Sequence, residues 1–174
     1  ITDDEMQADG VVVNTCCFIH DAKQESVDTI LEFAELKNSN GLKALIVTGC
    51  LAQRYADELL EEIPEIDALL GTAGCEEIVA ALDNALNGIS YKSLPDLHAG
   101  IKATTNQIVT TGGHYAYLKI AEGCDKHCTY CVIPRIRGSY RSVAFEELVI
   151  HAKTLVEKHG VKELILVAQE TTVY

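Results

Sequence analysis

The chain has 174 residues, of which 48% are hydrophobic, enough for one large domain or for one and a half small ones. No apolar run approaches the ~18 residues of a membrane-spanning helix, and no charged segment followed by an apolar one opens the chain, so neither a membrane protein nor a secreted one is indicated. The net charge of −12 is concentrated in residues 1–104, which carry 6 Lys and Arg against 19 Asp and Glu, and this acidic balance disfavours direct DNA binding and tight binding of other nucleic acid phosphates by that half.

The first half of the chain alternates predicted strands with predicted helices. The predicted strands cover 11–15, 44–48 and 68–70, and the predicted helices cover 21–37, 53–63 and 76–87. Apolar residues recur at the helical period, and those expected to share a face of the first helix are Val27, Ile30, Leu31 and Ala34. Because strands that alternate with helices join through right-handed crossovers, we expect an α/β fold with a parallel sheet.

The second half predicts a linker followed by a new βα unit. Residues 88–113 are rich in turn formers and end with two glycines, so they are predicted to be a linker. A strand at 114–120, a cysteine-containing loop, a helix at 143–159 and a strand at 162–168 follow. The predicted helix face consists of Phe145, Leu148, Ala152, Leu155 and His159. This order of elements is the opening of a βα barrel, which places its chemistry at the carboxyl ends of its strands.

The domain prediction is therefore a first domain over 1–104, including the linker, and the start of a barrel over 105–174. Two strands cannot close a barrel, and the chain opens on Ile1 without an initiating methionine. We expect an internal fragment, with the first domain truncated at its start and the second at its end.

Three cysteines, Cys124, Cys128 and Cys131, lie within eight residues of one another. Structural zinc normally takes four protein ligands, and ferredoxin cubanes take four cysteines. A loop with three thiolates instead suits a 4Fe–4S cubane that leaves one iron open for a small molecule. A zinc site with His127 as the fourth ligand is the alternative, but one short loop would then have to supply all four ligands in tetrahedral geometry.

Two further cysteines, Cys16 and Cys50, follow the first two predicted strands. Ligands gather at the carboxyl ends of parallel strands, so we expect these two thiolates to converge at one edge of the sheet. Seven cysteines, an odd number, indicate metal and redox chemistry in a reducing cytosol rather than a disulfide scaffold, and thus a cytoplasmic protein. Cys17 and Cys75 are expected to be buried or spectator thiols.

Along its whole length the chain resembles the radical S-adenosylmethionine (SAM) methylthiotransferases. The resemblance is carried, in order, by Asn14-Thr15-Cys16, by Gly49-Cys50 and by the three cysteines of the loop. Members of the family have an amino-terminal domain that holds a second cluster, a radical SAM barrel and a small carboxy-terminal TRAM domain. The resemblance implies two 4Fe–4S clusters, and their ligands here would be Cys124, Cys128 and Cys131 for the SAM-binding cluster, and Cys16 and Cys50 for the auxiliary one. The third auxiliary ligand would precede Ile1.

The resemblance also implies a substrate. One branch of the family modifies a ribosomal protein and others modify tRNA adenosine. The segments that resemble the ribosomal branch are 18–19, 21–23, 25–26, 29–30, 51–55 and 65–68. The expected reaction adds a methylthio group to the β-carbon of an aspartate in protein twelve, at the decoding centre of the small ribosomal subunit. Methylthiolation of tRNA adenosine is the alternative.

The implied chemistry is reductive cleavage of SAM, after which a deoxyadenosyl radical takes hydrogen from the unreactive β-carbon. An electron donor is an implied partner, and no side chain is needed as an acid or base. Tyr130 is expected beside the adenine, and Gln169 and Glu170, which end the last predicted strand, are candidate SAM contacts. A non-catalytic electron carrier is a further hypothesis, but such carriers fill all four iron positions with cysteine.

Overall fold

The computed structural model describes residue 2, residues 4–103 and residues 107–174 of the chain. It divides the chain into two units, Ile1–Leu97 and His98–Tyr174. The predicted domain boundary between residues 104 and 105 falls outside the described residues.

Four parallel strands form the sheet of the first unit. They are β1 (Gly10–Thr15), β2 (Ala44–Gly49), β3 (Ala68–Leu70) and β4 (Tyr91–Ser93), and they lie side by side in that order. Every residue of β2 is buried, which explains its uninterrupted apolar run. The prediction of an α/β fold with a parallel sheet is confirmed. The linker prediction is wrong at β4, because this short strand carries no apolar run of its own and is defined by its pairing with β3.

Helices connect these strands. After a 3₁₀ turn at Glu5–Gln7, they are α1 (His20–Asn40), α2 (Cys50–Arg54), α3 (Ala56–Glu62), a 3₁₀ turn at Cys75–Glu77, and α4 (Ile78–Leu86). The single helix predicted over 53–63 is in fact two helices, since the backbone leaves helical geometry at Tyr55 with φ −128° and ψ 37°. The predicted face of α1 is wrong at Leu31, which is 44% exposed, whereas Ile30 and Ala34 are buried.

One core of the first unit lies between the sheet and α4. The small side chains of Ala81 and Ala85 are buried there, which lets the helix approach the strands closely. The strand residues of this core alternate along β2 and β3, as the two-residue period of a strand requires, and they are Ala44, Ile46, Ala68 and Leu70. Cys16 and Cys50 follow the carboxyl ends of β1 and β2, which pair with each other in parallel over their whole length.

In the second unit, β5 (Tyr115–Lys119) pairs in parallel with β8 (Glu163–Val167). Between them lie a two-residue antiparallel ribbon of β6 (Ala121–Glu122) with β7 (Arg141–Ser142), a short helix α5 (Ile133–Arg137), and α6 (Phe145–His159). The predicted strand–loop–helix–strand order is confirmed. The ribbon and α5 were not predicted, because elements of two to five residues carry too little periodicity to be recognised.

The helix α6 packs on β5 through a face that differs from the predicted one. Leu148 and Leu155 are buried as expected, but Phe145 is 65% exposed. His151, which the predicted face does not include, lies in the buried face and is only 3% exposed. Among the described residues, every helix is too short or too polar to cross a bilayer.

Candidate metal centres

The first candidate centre lies at the carboxyl edge of the four-stranded sheet. Thr15 and Gly49 are partners in the register of β1 and β2, so Cys16 and Cys50 each come one residue after the same rung of the sheet. Cys50 is buried and opens α2, while Cys16 is partly exposed. The sequence prediction that both thiols follow neighbouring strand ends agrees with this placement.

Gly49 fixes the turn from β2 into α2. Its φ is +97° and its ψ is −156°, a conformation essentially restricted to glycine. A Cβ at this position would lie 2.5 Å from the Thr15 carbonyl oxygen and 2.7 Å from Asn14 Oδ1. The chain can therefore pass from strand to helix this close to β1, and present Cys50, only because residue 49 has no side chain.

Two buried hydroxyls hold the same edge. Thr15 Oγ1 donates to the Thr48 carbonyl oxygen at 2.6 Å and accepts the Leu51 N–H at 3.2 Å, so it ties β1 to both sides of the turn. Ser26 Oγ on α1 accepts the Cys16 N–H at 3.0 Å and donates back to the helix, to the Ala22 carbonyl oxygen, at 2.8 Å. The backbone that carries both cysteines is thus held by side-chain hydrogen bonds.

A third thiol belongs to this edge. Cys17 is 5% exposed, and its Sγ donates to the Cys50 carbonyl oxygen at 3.3 Å. Burial and then the negative charge of Cys50 raise the pKa of the Cys17 thiol, whereas the nearby Arg54 guanidinium opposes the rise. Cys75, in contrast, is exposed.

The second candidate centre is the cysteine loop, defined as residues 123–131, between β6 and α5. Cys124 and Cys131 are partly exposed and Cys128 is exposed. The loop begins at buried Gly123, whose φ is +80°, and a Cβ there would lie 2.1 Å from the Ser139 carbonyl oxygen. The Cys124 N–H donates to the Gly138 carbonyl oxygen at 3.2 Å. Only glycine can bring the loop this close to the chain that returns from α5.

The chain that follows β8 contacts the cysteine loop at two points. Gln169 Oε1 accepts the Gly123 N–H at 2.9 Å, and the Glu170 carboxylate forms an ion pair with Lys126. The hydrogen bond from Lys126, followed by those from Thr172, lowers the pKa of Glu170 to about 2. Gln169 and Glu170, predicted as SAM contacts, therefore have partners in the described structure.

Basic residues near the cysteine loop have structural partners that the sequence did not reveal. Arg137 pairs at 3.2 Å with Glu122, a carboxylate only 6% exposed that also pairs with Lys119. The Arg141 guanidinium donates to the carbonyl oxygens of Ala99 at 2.9 Å and of Ser139 at 3.1 Å. In the sequence, the one signal that could have revealed this buried carboxylate is that Glu122 is a charged residue beside a predicted apolar strand.

The donors of both centres fit iron–sulfur chemistry. All seven cysteines are free thiols, and thiolates are the usual ligands of iron–sulfur clusters. Across residues 4–103 and 107–174, no three His, Cys, Asp or Glu side chains converge closely enough to hold a metal ion. Tyr130, the predicted adenine neighbour, is 91% exposed.

Two family models match the chain. The model described as uncharacterized protein family UPF0004 matches residues 1–71, and the model of the radical SAM superfamily matches residues 118–174. The first match contains Cys16 and Cys50, and the second contains the cysteine loop.

The chain is also similar to curated bacterial proteins that bear the name ribosomal protein uS12 methylthiotransferase RimO. It is 62% identical over its whole length to the protein of Lachnoclostridium phytofermentans. It is 51% identical over 97% of its length to that of Clostridioides difficile, and 50% identical over its whole length to that of Clostridium perfringens. The chain spans 39%, 38% and 39% of these relatives, respectively.

Proposed function

Since this chain belongs to the radical SAM methylthiotransferase family, we propose that it acts, as part of a methylthiotransferase, on an aspartate β-carbon of ribosomal protein uS12. The observation that carries this proposal is the similarity to RimO proteins, at 62% identity over all 174 residues in one case. The similarity is continuous through both units, so it includes the sheet edge with Cys16 and Cys50 as well as the cysteine loop.

The proposed cluster ligands are the five cysteines that the family resemblance implies. Cys124, Cys128 and Cys131 would hold the SAM-binding 4Fe–4S cluster, and Cys16 and Cys50 would contribute to an auxiliary one. When bound, the first cluster would supply the electron for the reductive cleavage of SAM, and the second would carry or activate the sulfur that is transferred. An electron donor in the cytoplasm is part of this proposal.

The chain's own residues position these donors. At the sheet edge, the glycine conformation of residue 49 and the Thr15 hydroxyl hold Cys50 against β1. In the second unit, Gly123 lets the start of the cysteine loop lie close to the backbone that follows α5. Tyr130 is exposed and free to cover an adenine, whereas a SAM contact by Glu170 would have to share a carboxylate that already accepts from Lys126 and Thr172.

The metal content tests the ligand assignment. In the anaerobically reconstituted protein, Cys128→Ala should remove about four iron atoms, the content of one cubane, and abolish reductive SAM cleavage. Cys50→Ala should remove a different cluster and leave SAM cleavage in place. Cys75→Ala is the matched control, because Cys75 is an exposed thiol outside both centres. If both variants lost the same cluster, the two-centre assignment would be wrong.

The substrate is tested in cells that lack the gene, with mass spectrometry of uS12 and of total tRNA nucleosides. The proposal expects uS12 to lose its methylthio mass, the wild-type gene to restore it, and the Cys128→Ala gene to fail. Restoration by the Cys75→Ala gene is the control for expression. If uS12 kept its mass and a methylthioadenosine disappeared from tRNA, the ribosomal assignment would be overturned and the tRNA branch would take its place.

A further inference from the structure

We propose that a cavity at the carboxyl ends of β5 and β8, lined by Lys119, Arg137 and Gln169, is a subsite for the carboxylate of the substrate aspartate, and that Lys119 determines the preference for that carboxylate. The inference rests on the proposed function and deepens it, because it states which residues would recognise an acidic side chain.

The cavity lies at the edge of the second sheet where the cysteine loop begins. Its volume is about 260 Å³, and its walls come from the end of β5, from β6, from α5 and from the end of β8 with the chain that follows. Gln169 in this wall accepts the Gly123 N–H at 2.9 Å, so the cavity adjoins the first residue of the cysteine loop. Pockets for drug-sized ligands enclose roughly 300–1,000 Å³, so this smaller cavity suits a group the size of one side chain.

Two cations at the cavity share one buried carboxylate. Lys119 forms an ion pair with Glu122, and Arg137 Nη1 donates to the other oxygen of the same carboxylate at 3.2 Å. The Glu122 side chain is only 7% exposed, and it holds both cations beside each other. The three groups together carry one net positive charge, so an anion is electrostatically favoured in the cavity.

Gln169 contributes a further hydrogen-bond donor. Because its Oε1 accepts the Gly123 N–H, the other end of the amide is its NH₂ group, which can only donate. The ammonium group of Lys119 and the guanidinium group of Arg137 also only donate. The remaining wall is apolar and consists of Ala121, Val167 and Ala168. The cavity therefore offers donors and an apolar surface to its ligand.

An aspartate side chain matches both features. Its carboxylate is an acceptor without a donor, and a single methylene group, which an apolar wall can cover, carries it. That methylene carbon is the β-carbon that the proposed reaction modifies. The adenine ring of the alternative tRNA substrate has no anionic group, so this set of donors would not select it. The carboxylate of SAM is the competing occupant, and the experiment distinguishes the two.

Lys119 is the residue whose replacement tests the subsite without disturbing the fold. Its side chain is 52% exposed, and in Lys119→Gln the Glu122 carboxylate keeps its ion pair with Arg137. Replacing Arg137 or Glu122 would instead disrupt the pairing of largely buried charges, which is strongly destabilising.

The experiment measures the dissociation constants of two fluorescent uS12 peptides for the reconstituted protein, by anisotropy. One peptide contains the target aspartate and the other has asparagine in its place. The wild-type protein should bind the aspartate peptide about tenfold more tightly, as a hydrogen bond to a charged group implies. Lys119→Gln should abolish this preference by weakening only the aspartate peptide, and Lys119→Arg should restore it. Lys153→Gln, which removes the same charge from an exposed position on α6, is the matched control and should keep the preference.

The other outcomes decide against the inference in different ways. A Lys119→Gln variant that kept the wild-type preference would overturn it, and equal weakening of both peptides would show a structural role only. Weaker SAM binding by this variant in equilibrium dialysis, with the peptide preference intact, would assign the cavity to the carboxylate of SAM. If the wild-type protein cleaved SAM but bound neither peptide, the proposed substrate itself would be wrong, which is distinguishable from a failure of the subsite alone.

Discussion

Replacing Gly49 by alanine should destabilise the first unit and release Cys50 from its position at the sheet edge. The new Cβ would meet three atoms, the Thr15 carbonyl oxygen at 2.5 Å, Asn14 Oδ1 at 2.7 Å and the Thr15 nitrogen at 2.9 Å. Two of these are backbone atoms of β1, which is paired along its whole length with β2 and cannot move without losing that register.

The magnitude follows from two costs. The backbone conformation of Gly49 costs another residue about 1–3 kcal/mol. Overpacking in a well-packed site adds roughly 1–3 kcal/mol. We therefore expect Gly49→Ala to lower the free energy of unfolding by about 3–4 kcal/mol, a large part of the stability of a small domain.

Gly41→Ala is the matched control. Gly41 ends α1 with φ +84°, and nothing lies within 4 Å of a Cβ placed there. Only the cost of the left-handed backbone conformation remains, about 1–2 kcal/mol. Part of this cost is offset, because alanine lowers the conformational entropy of the unfolded chain relative to glycine. The difference between the two variants, about 2 kcal/mol, combines the contact with β1 and the more restricted backbone conformation of Gly49.

The assay is urea unfolding followed by circular dichroism, with the iron content of the reconstituted protein as a second measurement. At a slope of about 2 kcal/mol per molar, Gly49→Ala should shift the unfolding midpoint by about 1.5–2 M urea. It should also lose the cluster that Cys50 would bind, whereas Gly41→Ala should keep it. Coincident midpoints for the two variants would refute the reasoning that Gly49 is required by the close approach of β1.

Two other perturbations test buried polar groups. Thr15→Val should cost about 1–3 kcal/mol in urea unfolding, because the Leu51 N–H loses its acceptor, and Thr15→Ser, which keeps the hydroxyl, should cost less. Burial lowers the pKa of His151 from 6.5. As the pH falls, the imidazole is therefore protonated in the unfolded chain before it is protonated in the folded protein, and stability should fall as the pH drops below 6.5. His151→Leu should remove this part of the pH dependence, and an unchanged slope in thermal melts between pH 7 and pH 5 would show that another group is responsible.

Much of the fold could be predicted from local pattern alone. The apolar runs of β2 and β5 and the helical periods of α1, α4 and α6 are properties of consecutive residues. These five elements were therefore predicted close to their observed bounds. The errors in the predicted helix faces also arise from the use of local pattern alone. Leu31 and Phe145 fit the helical period, but the neighbours available in the tertiary structure decide which part of an apolar stripe is covered, and both remain exposed.

The sequence by itself determined the α/β class, because strand and helix periodicity are properties of short stretches of chain. It also predicted the cysteines of each candidate centre, from their spacing and from a family resemblance. The tertiary structure alone decided that Gly49 must be a glycine, that β4 joins the sheet, and that the chain after β8 holds Gly123 and Lys126. These contacts join residues that lie between 23 and 46 positions apart, and they depend on register and on ångström-scale approach. No local pattern of residue types records such distances, since they arise only when separate elements pack together.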